Sequence, residues 1–358
     1  MPDKPKVIVL AGKLHPYGGI ETHLFHFCVF FADLADITLV ITSKDYAAAS
    51  KAALERRGVK ICEFNCGTRL DGILEYIRCI FFLRRQRAHD SVLYSNGTSG
   101  FAYLAGINMY SRMWVHHHHG DISFDICRSF PFFYKRALKN CDWLIACTPG
   151  HAKILDREFQ RRDRTVFLPY LKAEAVFNAQ SRTKRHGNMV IGFFGRLRES
   201  KGVGTLLALA SWFMQNGIEC RLHGDNCENL VSLPLPAPIS WKGPYNSSED
   251  LDELFSSIEV MVLPTVFGEG LPIVVSEAIS RGVPVVAYPG GGLREMAGFH
   301  AGVMIIEPNV AAFKKALLEM RERLKSRELN ESLAKKYQTE LSNGKTVGWW
   351  RELLITRK

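Results

Sequence analysis

Short apolar segments alternate with helical stretches along this chain, and the alternation restricts the fold more than any other feature. In the first half the apolar segments are residues 7–11, 37–41, 59–64, 92–94, 112–116 and 143–148. A polar, strongly basic stretch follows at residues 178–188, and the alternation then resumes at residues 190–194, 219–223, 239–242, 260–264, 283–287 and 303–306. Strands that alternate with helices form parallel sheets with helices on both faces. The pattern therefore predicts two Rossmann-like, doubly wound α/β domains in series.

The chain length agrees with two domains, since 358 residues exceed what one hydrophobic core usually holds. We place the boundary just before the basic stretch, so that residues 1–170 form the first domain and residues 171–344 the second. The last segment, residues 345–358, contains Trp349 and Trp350 and follows a complete second domain. We expect this segment to form a helix that crosses back to the first domain.

Composition argues against several classes of protein. Hydrophobic residues make up 47% of the chain and the mean hydropathy is −0.05, which is typical of a globular protein and not of a disordered one. The best candidate for a membrane-spanning segment, residues 24–40, is interrupted by Asp33 and Asp36. We expect no signal peptide, because the strand-like residues 7–10 lie so near the start. Nine cysteines without a Cys-x-x-Cys pair favour buried thiols in a reducing compartment, so we expect a cytoplasmic protein.

The positive charge is concentrated in the first half. The chain carries a formal net charge of +10 at pH 7, of which +7 falls within residues 1–170 and +3 in the remainder. Two stretches of the first half, residues 73–87 and 130–136, combine basic and aromatic side chains. Exposed on the surface, they would suit an anionic membrane, where each cation contributes roughly 1 kcal/mol. The alternative is that the aromatic side chains lie in the core while the basic ones face solvent.

Residues 266–278 form the segment richest in candidate binding groups. Their sequence is Val-Phe-Gly-Glu-Gly-Leu-Pro-Ile-Val-Val-Ser-Glu-Ala, in which Pro272 suits the first turn of a helix. The loop before such a helix offers backbone N–H groups and the positive end of the helix dipole, which together favour an anion. Glu269 in the loop and Glu277 in the helix could both accept hydrogen bonds from sugar hydroxyls. The alternative is that both carboxylates are solvated charges at the helix end.

A second segment, Gly-Arg-Leu-Arg-Glu-Ser-Lys-Gly at residues 195–202, directly follows the apolar residues 190–194. A strand, then a glycine with two cations, then a helix is the layout that holds a diphosphate at the carboxyl edge of a parallel sheet. The segment lacks the Gly-Lys-Ser/Thr of a Walker loop and the Gly-x-Gly-x-x-Gly of dinucleotide-binding proteins. The alternative interpretation is a basic surface loop.

Asp250 and Asp252 form an Asp-x-Asp pair, which in other proteins can hold a catalytic metal. Here the preceding Ser-Ser-Glu, at residues 247–249, gives the stretch the composition of a helix cap followed by an acidic first turn. We therefore predict a helix cap at this place and no metal site.

Taken together, these segments resemble the retaining glycosyltransferases of family 4, which have the GT-B fold. The resemblance rests on Gly-Arg-Leu-x-x-x-Lys-Gly followed, about 70 residues later, by two glutamates with seven residues between them. Three shorter segments are also similar to the family: Gly-Gly-Ile-Glu at residues 18–21, Cys-Asp-Trp-Leu-Ile-Ala-Cys-Thr at 141–148 and Gly-Gly-Leu-Arg-Glu at 291–295. The chain departs from the pattern at Leu-Pro-Tyr, residues 168–170, where the family often carries Asn-Gly.

The resemblance implies a role for each matching residue of the donor site. Arg196 and Lys201 would bind the diphosphate of a nucleotide-sugar and stabilise it as it leaves. A glycine near the phosphates would let the backbone approach them closely. The remaining donor contacts would be Gly19 at the phosphates, Glu277 at the ribose, and Glu269, Gly270 and Leu271 at the sugar.

Four consecutive histidines, residues 116–119, stand at the end of a predicted strand. The family carries an active-site histidine there that is usually followed by a small residue, which fits His119 before Gly120 best and His118 second. The resemblance implies that this histidine steadies the donor sugar. Metal binding is the alternative, but successive residues of a strand point in opposite directions, so adjacent histidines make a poor tetrahedral site.

The resemblance thus implies a retaining glycosyltransferase that needs neither a metal nor another cofactor. The enzyme would move a sugar from a UDP- or GDP-sugar in the second domain, across a cleft, to a hydroxyl of a glycan or lipid-linked acceptor in the first. We expect a role in polysaccharide or lipopolysaccharide biosynthesis, at the inner face of the membrane, with no nucleic acid as a partner. Three alternatives stay open: a nucleotide-sugar epimerase, an inverting transferase with His119 as general base, and a non-enzymatic module that binds membranes or polyanions.

Overall fold

The chain folds into two compact units, one formed by residues 1–172 with 343–358 and the other by residues 173–342. The structure, a computed structural model, describes residues 4–12, 18–43, 48–66, 69–85, 91–97, 112–174, 187–245, 251–268, 270–326 and 328–355. Each unit is built on one sheet, and all the strand pairs described in both sheets are parallel. These are the parallel α/β sheets that the alternation of apolar segments predicted.

The first unit contains a seven-stranded sheet in the order β3-β2-β1-β4-β5-β6-β7. Successive strands are added on one side of β1 up to β3 and on its other side from β4 onward, so the strand order changes direction between β1 and β4. Ligands of such sheets bind outside the carboxyl ends of the strands near that point. The strands are β1 (Lys6–Ala11), β2 (Asp36–Ile41), β3 (Lys60–Glu63), β4 (Ser91–Asn96), β5 (Met113–His117), β6 (Trp143–Ala146) and β7 (Thr165–Phe167).

Helices cover both faces of this sheet. Local sequence sets their ends: Thr148 caps one helix through a hydrogen bond from the His151 N–H (3.1 Å), and Pro149 occupies its first position. The helices described before the domain boundary are α1 (Gly19–Phe31), α2 (Ala48–Arg56), α3 (Leu70–Arg85), α4 (Phe124–Ser129), α5 (Phe132–Asn140) and α6 (Pro149–Glu158).

The C-terminal helix packs on the first unit, as predicted. Its Trp350 is fully buried against Phe27 of α1 and Tyr94 of β4, with ring centroids 4.8 Å apart in both cases. The Asn343 amide at the start of this helix accepts from the Lys172 N–H and donates to the Lys172 carbonyl. The helix thereby completes the core of a unit from which more than a hundred residues separate it in sequence.

The second unit contains a six-stranded sheet in the order β10-β9-β8-β11-β12-β13. Here the strand order changes direction between the neighbouring strands β8 and β11. The strands are β8 (Met189–Phe194), β9 (Ile218–His223), β10 (Ile239–Trp241), β11 (Val260–Leu263), β12 (Val285–Ala287) and β13 (Val303–Ile305). The helices that follow along the chain are α7 (Val203–Ala208), α8 (Ala210–Gln215), α9 (Leu251–Ser256), α10 (Ile273–Ser280), α11 (Val310–Arg323), α12 (Glu328–Glu340) and α13 (Asn343–Ile355), the last of which is the helix of the first unit.

Candidate functional site

The segment 195–202 follows the carboxyl end of β8, beside the point where the strand order of the second sheet changes direction. Leu197 is fully buried and its N–H donates to the carbonyl of Asp225 (2.8 Å), which fixes the segment to the loop after β9. Residues Glu199–Lys201 form one turn of 3-10 helix before Gly202. Arg196 is exposed and Lys201 is half-buried. Both cations therefore lie in the segment that follows the carboxyl end of β8.

Two glycines allow neighbouring loops to touch at this edge. Gly202 has φ +77°, and a Cβ there would lie 2.1 Å from the carbonyl oxygen of Pro264, just after β11. Gly224 has φ +148°, and a Cβ there would lie 1.7 Å from the carbonyl oxygen of Gly195. Any side chain at either position would both strain the backbone and overlap a carbonyl oxygen. The close approach of these loops thus depends on glycine.

The segment 264–272 joins the same group of loops. The Thr265 hydroxyl donates to the carbonyl of Ser200 (3.2 Å), and a Cβ at Gly290 would lie 2.8 Å from the carbonyl oxygen of Phe267. The loops after β8, β11 and β12 therefore meet at one edge of the sheet. Gly270 and Leu271 are buried there, whereas Glu269 lies outside the described residues.

Glu277 is the fifth residue of α10 and is only 1% exposed, so it is not a solvated charge at a helix end. It lies close enough to Tyr245 and Tyr337 that its charge, after the larger effect of burial, raises the pKa of each phenol. The helix ends just before Gly282, whose φ of +66° is a conformation that glycine adopts readily. A buried carboxylate is equipped to accept hydrogen bonds from hydroxyl groups.

The two aspartates of the Asp-x-Asp pair differ in what the structure describes. Asp252 lies in the first turn of α9 and forms an ion pair with the buried guanidinium of Arg281 (2.6 Å). The Arg281 Nη1 also donates to the carbonyl of Glu277. Asp250 and the predicted cap before it lie outside the described residues. Asp252 thus supports α10 through Arg281, and the cap stays a prediction.

In the first unit, Gly19 is the first residue of α1 and His119 follows β5 by two residues. The four histidines alternate between the two sides of the strand, as expected for consecutive residues of a β-strand. On one side His116 and His118 both bond to the Tyr134 hydroxyl, at 3.1 and 2.6 Å. On the other side the rings of His117 and His119 stack with centroids 4.0 Å apart.

His119 belongs to a buried network that also includes a helix of the same unit. Its Nδ1 bonds to the Tyr170 hydroxyl and its Nε2 to the Asn96 side-chain oxygen, both at 3.0 Å. The ring of His23, from α1, lies 5.9 Å from it, so the helix that Gly19 begins reaches the same cluster. Burial, helped by the neighbouring His23, holds the pKa of His119 well below its usual range. The imidazole is therefore neutral at pH 7.

His118, the second choice for the active-site histidine, faces the opposite side of the sheet. Burial and the adjacent His151 lower the pKa of His118 to about 4. Its Nε2 lies against Gly120, where a Cβ would be 3.1 Å away. The two candidate histidines thus contact different sets of residues, and His119 is the one that shares a cluster with α1.

One group of side chains within the described part of the chain has the composition of a metal site. A ligand atom from each of His117, His119 and Cys147 lies within 4.8 Å of the others, and all three residues are buried. The Cys147 thiol is hydrogen-bonded to the Tyr170 hydroxyl (2.8 Å) and donates to the His118 carbonyl (3.2 Å). With both nitrogens of His119 also engaged, hydrogen bonds already hold two of the three ligands.

Sequence reasoning missed the partners of the histidine run. His23, Tyr94, Asn96 and Tyr170 come from α1, β4 and the segment after β7, so no local motif links them to residues 116–119. A usable indication was present, since His23 follows the glycine-rich segment and directly precedes the mostly apolar residues 24–31.

In the described residues, no helix is long and apolar enough to cross a membrane.

Comparison with known proteins identifies the type of domain in the second unit. Residues 177–339 match the family model of the glycosyl transferases group 1, so this unit carries a domain of that type. No curated protein is similar enough in sequence to count as a match. The more specific assignment to family 4 stays a prediction.

Several solved structures share the fold over nearly the whole chain. HepE of Anabaena, solved in complex with UDP and glucose, has 18% sequence identity and a TM-score of 0.73, over 98% of this chain and 100% of its own. Sucrose-phosphate synthase of Thermosynechococcus elongatus has 15% identity and a TM-score of 0.74, over 98% of each chain. A TarM variant of S. aureus, in complex with fondaparinux, alpha-GlcNAc-glycerol and UDP, has 13% identity and a TM-score of 0.73, over 98% of this chain and 100% of its own. At such identities the likeness concerns the fold, and the predicted GT-B fold class is confirmed.

Proposed function

We propose that this protein is a glycosyltransferase that moves a sugar from a UDP- or GDP-sugar to a hydroxyl group and retains the configuration of the anomeric carbon. The observation that carries the proposal is the position of Arg196 and Lys201. They leave the carboxyl end of β8 in the unit that matches the glycosyl transferases group 1 model. This is the edge at which parallel sheets bind phosphates. HepE, of the same fold, was solved with UDP-glucose, which supports a nucleotide-sugar as the donor.

In the proposed reaction the bond between the anomeric carbon and the diphosphate breaks, and a bond to the acceptor oxygen forms on the same face of the sugar. The acceptor proton passes to an oxygen of the departing phosphate, so no side-chain nucleophile and no metal are needed. Arg196 and Lys201 stabilise the negative charge that develops on the diphosphate. Gly19 would let the backbone approach the phosphates closely.

The sugar and the ribose need hydroxyl-binding groups. Glu277, buried beside two tyrosines, would accept hydrogen bonds from the ribose. Glu269, Gly270 and Leu271 would hold the sugar. His119 would contact the sugar by exchanging its hydrogen bond to Asn96 for one to a sugar hydroxyl, because both of its ring nitrogens are engaged in the structure.

We also propose an anionic membrane as the surface on which a lipid-linked acceptor is met. Helix α3 buries Cys79 and Leu83 against the core, yet its other side carries large apolar residues that are 45 to 75% exposed. They recur every three or four residues and so form one stripe along the helix. The stripe consists of Leu70, Ile73, Leu74, Ile77 and Phe81. Arg84 and Arg85 stand at its C-terminal end, where anionic headgroups would attract them.

The aromatic residues of the two basic stretches divide between surface and core. Phe81, Phe132 and Phe133 are more than half exposed, so the interpretation that places all of them in the core is wrong. Tyr134 is fully buried and Phe82 packs on the core, in agreement with that interpretation. The exposed members provide the apolar contact, beside nearby cations, that an amphipathic membrane surface requires.

The Phe81→Glu variant is expected to bind phosphatidylglycerol vesicles about tenfold more weakly than the original protein, because about 1.5 kcal/mol of apolar burial is lost. Sedimentation with vesicles at low salt measures this affinity. Met214→Glu is the matched control, since Met214 is similarly exposed, at 59%, but lies in the second unit. Equal binding by both variants, or no binding by the original protein, would remove the membrane from the proposal.

The alternatives within this fold make different products. A nucleotide-sugar epimerase would form product without an acceptor, and an inverting transferase would change the anomeric configuration, which proton NMR of the product detects. A non-enzymatic module that binds membranes or polyanions would bind no nucleotide tightly. The combination of two cations and two carboxylates in the donor segments disfavours this last alternative, since a membrane or polyanion module has no need of the carboxylates. These residues are Arg196, Lys201, Glu269 and Glu277.

The test of the proposal is nucleotide release from a panel of UDP-, GDP- and ADP-sugars without an acceptor. We expect slow hydrolysis of one donor, which identifies both the nucleotide and the sugar. Calorimetry with UDP and GDP accompanies the assay. If no donor is hydrolysed and neither nucleotide binds, the glycosyltransferase proposal is wrong; binding without hydrolysis would indicate a strict requirement for the acceptor.

A further inference from the structure

A chain of hydrogen bonds runs from the backbone of the first unit to His117. The N–H of Leu171 donates to Nδ1 of His23 (2.9 Å), and Nε2 of His23 lies 2.7 Å from the Tyr94 hydroxyl. That hydroxyl lies 2.9 Å from Nδ1 of His117. All three side chains are at most 1% exposed, so bulk water does not compete for these bonds. The chain joins the segment after β7, helix α1 and strands β4 and β5.

The first donor of this chain determines the direction of every bond in it. A backbone N–H can only donate, so Nδ1 of His23 accepts and the proton of this neutral ring is on Nε2. The His23 Nε2–H then donates to the Tyr94 oxygen, and the Tyr94 O–H donates to Nδ1 of His117. His117 consequently carries its proton on Nε2. Burial lowers the pKa of His23 to about 3 and that of His117 well below its usual range, which keeps both rings neutral.

The chain ends on a donor that the described residues leave without an acceptor. Nε2 of His117 is completely buried and makes no hydrogen bond to any residue in the described part of the chain. A buried donor of this kind costs about 1–3 kcal/mol unless a ligand satisfies it. His117 is the last residue of β5, paired with Asn96 of β4, at the sheet edge where ligands of this architecture bind.

The same protonation argues against a metal ion at His117, His119 and Cys147. A metal ligand needs an unprotonated nitrogen, but the backbone N–H of Leu171 places a proton on Nε2 of His117 through His23 and Tyr94. His119 has no unengaged nitrogen and the Cys147 thiol is hydrogen-bonded on two sides. The cluster is therefore arranged to donate a hydrogen bond rather than to coordinate a cation.

We propose that His117 is a ligand-binding residue whose Nε2–H donates a hydrogen bond to an uncharged oxygen of a carbohydrate, such as a sugar hydroxyl. A neutral acceptor fits because the ring that donates is itself held neutral in a buried cluster. The oxygen comes from either the donor sugar or a glycan acceptor, which share this chemistry. The assignment of a carbohydrate rests on the proposed function, whereas the protonation of His117 does not.

Long-range proton–nitrogen correlation spectra of histidine-labelled protein test the protonation state directly. We expect His23 and His117 to appear as neutral rings protonated on Nε2. Addition of UDP-glucose, GDP-mannose or maltose is expected to shift the His117 Nε2 resonance, whereas UDP alone leaves it in place. A shift with maltose but not with the nucleotide-sugars would assign the oxygen to a glycan acceptor. These spectra are recorded on the unaltered protein, so they do not depend on a variant that folds.

Two tyrosine variants distinguish an effect of the hydrogen-bond series from an effect of general packing. Tyr94→Phe removes the hydroxyl that fixes His117, so we expect a mixture of His117 tautomers and a loss of about 2- to 10-fold in affinity for the effective sugar ligand, with UDP binding unchanged. Tyr134→Phe is the matched control, because Tyr134 is equally buried but serves His116 and His118 on the other side of β5. It is expected to leave His117 unaffected.

Three results would overturn the proposal: a His117 ring protonated on Nδ1, stoichiometric Zn²⁺ binding that displaces the Nε2 proton, or no response of His117 to any of the three sugar probes. The outcome is distinct from that of the donor assay. If no donor is hydrolysed and neither UDP nor GDP binds, but maltose still shifts His117, the carbohydrate site stands and the transferase does not.

Discussion

The Lys201→Ala variant is expected to release nucleotide from its donor about 10²- to 10³-fold more slowly than the original protein. A cation that stabilises charge on a leaving diphosphate contributes mainly in the transition state, and loss of one such group typically costs this factor. Lys201 lies in the single turn that precedes Gly202, whose contact with the Pro264 carbonyl fixes that turn against β11. Steady-state kinetics with the donor identified by the panel measure the effect.

A fall in kcat with little change in KM is the expected form of this loss, because it indicates an interaction made in the transition state rather than in the ground state. Lys242→Ala is the matched control: Lys242 is an exposed lysine after β10, in the same unit. A loss smaller than about threefold for Lys201→Ala, or an equal loss in both variants, would contradict the role given to Lys201.

Most of the fold follows from the sequence because each strand of a parallel sheet is buried on both faces and is therefore a continuous apolar run. The twelve predicted strands all overlap observed ones, with ends that differ by at most two residues. The strand Thr165–Phe167 was missed because it is only three residues long and half-buried, so it leaves no apolar run. The C-terminal helix was predicted because Trp349 and Trp350 need a core to cover them and the segment follows a complete second domain.

The candidate site was predictable only where its residues are adjacent in sequence. Arg196 and Lys201 stand in one segment with the glycines that shape it, so a local pattern reveals them. The network around His119 is different, because Asn96, His23 and Tyr170 reach it from distant parts of the chain. His118 and His119 face opposite sides of the sheet, and only the contacts with Tyr134 and Tyr170 show which of them belongs to this network.

A backbone donor explains why His117 drew no attention in the sequence. Alternation along the strand puts His117 on the same side as His119. The series of hydrogen bonds that ends at His117, however, begins at the backbone N–H of Leu171. A pattern of side chains contains no information on that donor. Only the folded chain shows that Leu171, His23 and Tyr94 are consecutive members of one hydrogen-bonded series.

The Trp350→Ala variant is expected to lower the free energy of unfolding of the first unit by about 3–5 kcal/mol, because a completely buried tryptophan leaves a large cavity when it is truncated. The side chain lies between Phe27, Phe31 and Tyr94, so its loss removes the main contact of the C-terminal helix with α1 and β4. Urea unfolding followed by circular dichroism measures the change, with the transitions of the two units fitted separately.

Two conservative controls distinguish the cavity from the helix itself. Trp350→Phe keeps an aromatic ring and removes an indole N–H that has no hydrogen-bond acceptor among the described residues, so we expect less than half of the alanine loss. Trp349→Ala truncates the adjacent tryptophan, which is only half-buried, and is likewise expected to cost less. If Trp350→Ala and Trp349→Ala destabilise the protein equally, the C-terminal helix does not depend on Trp350 to complete the core of the first unit. The expected difference between them follows directly from burial, since the two side chains share a helix and a residue type and lie against each other.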